Sequence, residues 1–208
     1  MILIGTGAQA KYVEDILKST KRNPFLEIYN LPGYDNNKIF RTFDVQKFEP
    51  NKIGEYNEVV ICSKDSYLKE QIYLQLQKKD ITYSCMIHSR AYVSDYATIC
   101  QGTIVNANAV IQSEALIGIF CMIHAGVIVE HNCVIEEFCN LAPGVILGGG
   151  VKVGKHTIIN SGSIVAKNIT IGNGCIIGAG SLVLEDVPSN MMVYGHPVDI
   201  TKAKEVIK

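Results

Sequence analysis

The sequence has no tryptophan and only 6 prolines, and no run of about eighteen apolar residues, so no segment reads as a membrane-spanning helix. Charge of one sign is missing too. With 19 Lys and Arg against 20 Asp and Glu, the formal net charge is -1. That balance leaves no electrostatic footprint for nucleic acid or an anionic membrane, and no basic run with interleaved aromatics supplies one locally. Met1 leads straight into a short apolar stretch, without the basic segment and small-residue cleavage site of a signal peptide, so a cytoplasmic location is expected. The 7 cysteines include no CxxC pair. This excludes the common zinc-ribbon and redox spacings and predicts free thiols in a reducing compartment.

What the chain does have is a period of six. From Ala91 to Val183 a branched aliphatic or leucine returns at every sixth residue: Val93, Ile99, Val105, Ile111, Ile117, Ile123, Val129, Ile135, Leu141, Leu147, Val153, Ile159, Val165, Ile171, Ile177 and Val183. Two places before each stands a mostly small residue, such as Ala109, Cys121, Cys133, Cys139, Ser163 or Cys175. Neither a helix nor an ordinary amphipathic strand repeats at six, so the pattern predicts a coiled sheet. Each hexapeptide supplies one short parallel strand and a corner, and three complete a coil. Residue i then stacks under i+18, the aliphatics fill the interior, and the small residues are expected at the tight corners. A thiol at such a position acts as a small hydrophobe. The uninterrupted series is long enough to bury a continuous core.

The first eighty-odd residues follow a different rule. Met1 to Gly5 reads as a buried strand, Thr6, Gly7 and Ala8 as a turn, and Gln9 to Lys18 as a helix with Tyr12, Val13, Ile16 and Leu17 on one side. A strand, glycine turn and helix start can present backbone N–H groups to a phosphate, but a plain βα turn that needs glycine conformations reads equally well. Phe25 to Tyr29 and Val59 to Cys62 read as further strands, Asn30 to Asn37 as a loop, and Lys69 to Lys78 as a helix. Strands and helices thus alternate as in a small parallel sheet with crossovers, too short for a full dinucleotide domain. The expected organisation is an α/β domain over 1–84, the six-residue repeat over 85–187, and a tail over 188–208 packed on the last coils and unable to continue the repeat.

Chemistry in a filled prism must use outward positions. His131, two places after the interior Val129, is a candidate general base, because a neutral imidazole takes a proton near neutral pH; a surface histidine is the plainer reading. His124, on the adjacent strand, reads as solvated or at an interface. Gly144, Gly148, Gly149 and Gly150 suggest either a bare strip where a ligand meets backbone donors or simple turn chemistry.

Val129-Glu130-His131-Asn132-Cys133-Val134-Ile135, Leu141-Ala142-Pro143-Gly144, Ile87-His88-Ser89-Arg90-Ala91 and Gly195-His196-Pro197 together resemble the hexapeptide-repeat sugar acetyltransferases. That family includes NeuD-type sialic acid O-acetyltransferases and PglD-type nucleotide-amino-sugar N-acetyltransferases. The resemblance covers essentially the whole chain and implies an α/β N-terminal Rossmann-like domain joined to a left-handed parallel β-helix, assembled as a homotrimer. It implies direct transfer from acetyl-CoA to a sugar amine or hydroxyl in glycan or surface-polysaccharide precursor synthesis, without a metal. His131 then stands at the general base, Asn132 beside it, and Gly149 at the oxyanion donor. Acetyl-CoA would lie near Asn140, Gly149, Ser161 and Ala179. The acceptor, a sugar or sugar nucleotide, would lie near Gly7, Ala8, Gln9, Asn30, Ser63 and His124.

Several positions depart from the family pattern. Asn132 replaces the usual acidic neighbour of the base, Asn140 a histidine near acetyl-CoA, and His124 a common asparagine. Ala8 and Gln9 replace a glycine-histidine pair, Asn30 and Leu31 acidic residues, and Ser63 a glycine. Two other readings stay open. One is a non-catalytic sugar-nucleotide-binding homologue. The other is an inter-subunit zinc site of the γ-carbonic anhydrase type, drawing on His88, His124 and His131.

Overall fold

The structure, a computed structural model, describes residues 1–5, 8–22, 27–31, 45–53 and 58–206. Its N-terminal part is a parallel sheet of β1 (Ile2–Ile4), β2 (Glu27–Asn30), β3 (Val45–Lys47), β4 (Glu58–Ile61) and β5 (Thr82–Tyr83), in the order β3-β2-β1-β4-β5. Helix α1 (Ala8–Thr20) connects β1 to β2, and α2 (Ser66–Leu76) connects β4 to β5. Alternation along the strands sets the two faces. Leu3, Ile28 and Val60 pack with Ala10, Val13, Ile16 and Leu17 of α1. Ile2, Ile4, Val59 and Ile61 pack with Ile72 and Leu76 of α2. Neither β3 nor β5 is predicted from the sequence, because neither strand is long or regularly patterned. The sequence reading also starts α2 late: Asp65 caps the helix by accepting from the N–H groups of Tyr67 and Leu68 at 3.0 Å each. The turn residues Thr6 and Gly7 and the 32–40 segment lie outside the described residues.

From Met86 the chain winds as a three-faced parallel β-solenoid. The first face stacks Met86–Ile87, Ile104–Val105, Met122–Ile123, Asn140–Leu141, Ile158–Ile159 and Ile176–Ile177. The second runs from Tyr92–Val93 through Ile128–Val129 to Leu182–Val183, and the third from Thr98–Ile99 to Thr170–Ile171. Stacked partners are eighteen residues apart, as in Ile111 with Val129 and Val129 with Leu147. The aliphatic series is buried from Val105 through Val183.

The small series is not at the corners. It lines the core beside the aliphatics, since residues two apart on a strand point to one side. The corner turns fall two and three places after each aliphatic, and their second residue takes a left-handed φ: Asn132 at 60°, Phe138 at 58°, Gly150 at 72°, His156 at 61°. Nor are the small polar side chains mere fillers. Thr103 donates to Gly118 O at 2.8 Å, Cys121 to Glu136 O at 3.0 Å, Cys139 to Gly154 O at 3.1 Å and Thr157 to Gly172 O at 2.7 Å. Each satisfies a carbonyl just ahead of a corner in the coil above, where an unpaired acceptor would be costly.

The tail departs from the expectation that the repeat cannot continue. Met191–Val193 adds a parallel rung to Ile176–Ile177, and Lys204–Glu205 pairs antiparallel on it. Val187, Val193 and Val198 carry on the core. Ile177 pairs with Val193, two residues short of the usual stacking interval. Only the inward valine and the ladder are needed there, so the corner can shorten.

Both helices of the N-terminal part lean on the solenoid. Phe120, Phe138 and His156, one per coil, stack at 5.5 and 5.3 Å between ring centroids along the corner joining the third and first faces. Tyr73 of α2 packs on Phe120, Tyr67 stacks on His156, and the buried Lys69 amine donates to Phe120 O at 2.6 Å. Met86, Ile104 and Met122 of the first face join the cluster under α1. Thr157 also accepts from Cys175 N at 3.0 Å, so Thr157→Val strands a buried donor and a half-buried acceptor. The expected cost is about 1–3 kcal/mol in chemical denaturation, with Thr157→Ser recovering most of it.

Candidate active site

The solenoid has three corner columns of different chemistry. The aromatic one is covered by α2. The column between the first and second faces is nearly bare: Gly126, Gly144, Gly162 and Gly180 have left-handed φ angles of 67 to 72°, and a Cβ at Gly126, Gly162 or Gly180 would meet nothing within 4 Å. Ser161 and Ala179 stand exposed in this column. The column between the second and third faces is polar and carries His131.

His131 sits outward, at the first residue of a corner turn. Its exposed ring places Nδ1 2.8 Å from Asn132 Oδ1. A carboxamide oxygen only accepts, so in the neutral ring Nδ1 carries the hydrogen and Nε2 keeps its lone pair. One coil above lies Gly149, where a Cβ would meet His131 Cε1 and Nε2 at 2.7 Å. The glycine therefore makes room for the imidazole. Gly150 N donates to His131 O at 2.9 Å and locks the two corners together, while the Gly149 N–H donates to no acceptor among the described residues. Gly148 is close to the Lys167 backbone, 2.8 Å from a built Cβ to Lys167 N. The glycine run thus answers separate steric demands in adjacent coils, one of them the seat of the His131 ring.

His124 and Asn140 lie elsewhere. His124 is buried at the edge of the first face, with the Tyr12 ring of α1 edge-on at 5.6 Å. Burial holds its imidazole below the ordinary value; the Asn140 carboxamide partly opposes this, and the Lys69 ammonium adds to it. Asn140 faces outward from the first face, and its buried Oδ1 lacks a partner in hydrogen-bond geometry among the described residues. Gln9 is half-buried on the first turn of α1, and Asn30 ends β2. Ser63 is buried just past β4, its hydroxyl accepting from Asp65 N at 3.1 Å. Gly7 and the Ala8 side chain lie outside the described residues. Asn30 and Ser63 stand at the C-terminal ends of the parallel strands, with Gly5 between them: its N–H donates to Tyr29 O, and Cys62 N donates to Ile4 O, both at 2.8 Å.

Apart from Asn140, the solenoid's candidate residues therefore fall into two groups within one chain. His131, Asn132 and Gly149 occupy one edge of the second face, and His124, Ser161 and Ala179 the other. The width between them is on the order of 15 Å at about 3.3 Å per residue. The face between is an apolar ladder that includes Val110, Ile128, Ile146, Ile164 and Leu182. His88 shares a column with His124, its Nε2 3.4 Å from the Asp15 carboxylate, so the three histidines of the zinc reading do not converge within the chain. Among the described residues no group of three His, Cys, Asp or Glu side chains is placed to hold a metal ion. The sequence reading passes over the bare glycine column, whose only signal is a glycine at 126, 144, 162 and 180.

Residues 150–185 match the bacterial transferase hexapeptide family (six repeats). A search of curated protein sequences returns no match. Among solved structures, a variant of perosamine N-acetyltransferase from Caulobacter crescentus, in complex with CoA and GDP-perosamine, is similar with a TM-score of 0.87 and 25% identity over 95% of this chain and 94% of that one. The acetyltransferase domain of PglB from Neisseria gonorrhoeae, in complex with acetyl coenzyme A, gives 0.86 and 25% over 95% and 97%. WeeI from Acinetobacter baumannii shares the fold, with a TM-score of 0.83 at 22% identity over 95% and 97%.

Two predictions rest on this geometry. Gly149→Ala pushes the free end of an exposed imidazole aside, so it should leave the melting temperature nearly unchanged yet lower transfer roughly 10- to 100-fold. For His124 the folded state favours the neutral ring, so below the ordinary value of 6.5 the unfolded chain binds more protons. Stability should fall as pH drops from there through the lower folded value. Urea midpoints at pH 7.5 and 5.0 should show a smaller difference in His124→Gln than in the parent.

Proposed function

We infer that this hexapeptide-repeat chain is an acetyltransferase that moves an acetyl group from acetyl-CoA to the amino group of a nucleotide-linked sugar. The observation that carries this is an imidazole whose Nε2 keeps its lone pair in the neutral ring, against a glycine whose N–H is unengaged among the described residues, on a solenoid whose structural counterparts over 95% of the chain include an acetyl-CoA-bound acetyltransferase domain and a CoA- and GDP-perosamine-bound N-acetyltransferase. The expected winding is left-handed. The chain divides into a Rossmann-like acceptor half over 1–84, the catalytic solenoid over 85–187 and the tail over 188–208.

In this reading His131 Nε2 takes the proton from the acceptor amine as its nitrogen attacks the thioester carbonyl. The Gly149 N–H faces the carbonyl oxygen as it gains charge. The carbon–sulfur bond then breaks, and the departing sulfur receives the proton from His131, so no acyl group is carried by the protein. Asn132 fixes the tautomer that leaves Nε2 basic, the role an acidic residue more often fills, but it adds no charge to favour the imidazolium.

The assembly follows from the divided site. The apolar second face separates the base from the bare column with Ser161 and Ala179, and burying that face in a homotrimer sets one copy's His131 edge against the next copy's glycine edge. The pantetheine chain of acetyl-CoA would lie in that cleft, where missing side chains allow close approach, with Asn140 toward its inner end. His124, Gln9, Asn30 and Ser63 belong to the acceptor side, near the strand ends of β1, β2 and β4.

The test is transfer to nucleotide-linked amino sugars, followed by release of the CoA thiol. His131→Ala should lower kcat by roughly 10²- to 10⁴-fold while CoA binding by calorimetry persists. Full activity of that variant removes His131 from the mechanism; wild-type protein that binds CoA but transfers to no amino sugar favours the non-catalytic reading. Asn132→Asp should move the acid limb of the pH–rate profile upward, because a carboxylate beside the ring favours its protonated form.

A further inference from the structure

The two ends of the solenoid are finished differently. At the C-terminal end Val187, Val193 and Val198 close the core at 2%, 1% and 7% exposure, with Ile200 and Ala203 packed against it. At the N-terminal end the inward side chains of the first coil, Ile87, Ala91, Val93, Ala97 and Ile99, are only half-buried. Met86–Ile87, Tyr92–Val93 and Thr98–Ile99 are the last strands of the three faces, so each has one side outside the ladder. On the middle one, Tyr92 N–H and Ser94 N–H donate to Ala109 O and Ile111 O of the next coil, at 2.9 Å each. Alternation then turns the N–H and C=O of Val93 to the open side. Tyr96, at the corner that follows, is 74% exposed.

We propose that this open end pairs with the same end of a second copy of the chain, about a two-fold axis beside Val93. The inference goes beyond the acetyltransferase reading, and the surface lies at the end of the prism, outside the cleft that reading uses. An uncapped repeat array leaves its apolar interior in water, and a free strand edge is a template for another chain. The closed C-terminal end cannot receive the first coil of another molecule. Contact between two N-terminal ends is therefore isologous and stops at two, where a head-to-tail contact would grow into a fibre. The two-fold makes the facing strands antiparallel, so each Val93 gives its N–H to the C=O of its counterpart and accepts one in return. The same operation sets the Ser89–Arg90 corner against the Asp95–Tyr96 corner of the second copy, once on each side of the axis. Arg90 and Asp95 are both exposed and in no ion pair among the described residues. Each guanidinium thus meets a carboxylate and the face of a tyrosine ring, and the end is complementary to itself in charge as well as in backbone.

The test is light scattering of the full chain during size-exclusion chromatography. An even number of chains is expected: two if copies meet only at this end, six if the homotrimer also forms and two trimers join head to head. Arg90→Glu sets like charges against each other and should halve the mass. Arg90→Glu combined with Asp95→Arg exchanges the two charges and should restore it. Tyr96→Ala, at an exposed corner, should weaken the pairing roughly 10-fold, read from the protein concentration at which the mass falls, with the melting temperature kept. An assembly of one or three chains overturns the inference, as does an even-numbered one whose mass none of these variants changes. So does a double variant that melts like the parent yet stays at half its mass. Three chains leave the homotrimer standing without this interface and two leave this interface without the homotrimer, so the two readings fail separately.

Discussion

The parallel ladder that puts each residue under the one eighteen places later is the constraint on which the rest of this molecule depends. It is a backbone effect: carbonyl and N–H groups of successive coils pair, as Ile128 N–H to Val145 O at 2.9 Å and Ile146 N–H to Ser163 O at 2.9 Å. Once fixed, it turns a one-dimensional spacing into columns of identical orientation. A buried column takes aliphatics, its neighbour takes small donors that satisfy corner carbonyls, and each corner column acquires a single chemical character.

The consequence for function is that contacts between coils are made at known intervals. His131 meets Gly149 because they are one coil apart, and the absence of a Cβ there gives the imidazole its place. The same interval builds the aromatic stack on the opposite side, and α2 reads that stack with Tyr67, Tyr73 and the buried Lys69 amine. Burial pushes the Lys69 amine below its ordinary value, and its bond to Phe120 O ties α2 to the solenoid. A shift of the solenoid register would therefore disturb the seat of His131 and the docking of the N-terminal part together.

Legibility in the sequence follows from how local the cause is. The solenoid and its interior aliphatics are readable because six-residue spacing has one physical explanation. The tail is misread because its last rung keeps the inward valines but not the interval, so a strict count stops at Val183 while the ladder goes on to Val193. β3 and β5 are missed because a three-residue and a two-residue strand carry too little pattern to stand out from loop.

Within the site, His131 and Gly149 are visible as a histidine and a glycine, and the eighteen-residue interval is implicit in the period. Their contact distance, the tautomer set by Asn132, and the separation of the two candidate groups by a whole prism face are not. Those depend on where the corners fall relative to the strands, and the small series was expected at the corners when it lines the core. The sequence alone determined the coiled sheet, its period and the residue types available for chemistry, because hydrophobic burial responds to spacing. Tertiary structure decided which of them meet, because a corner turns neighbours in sequence onto different faces and only stacking across coils restores contact.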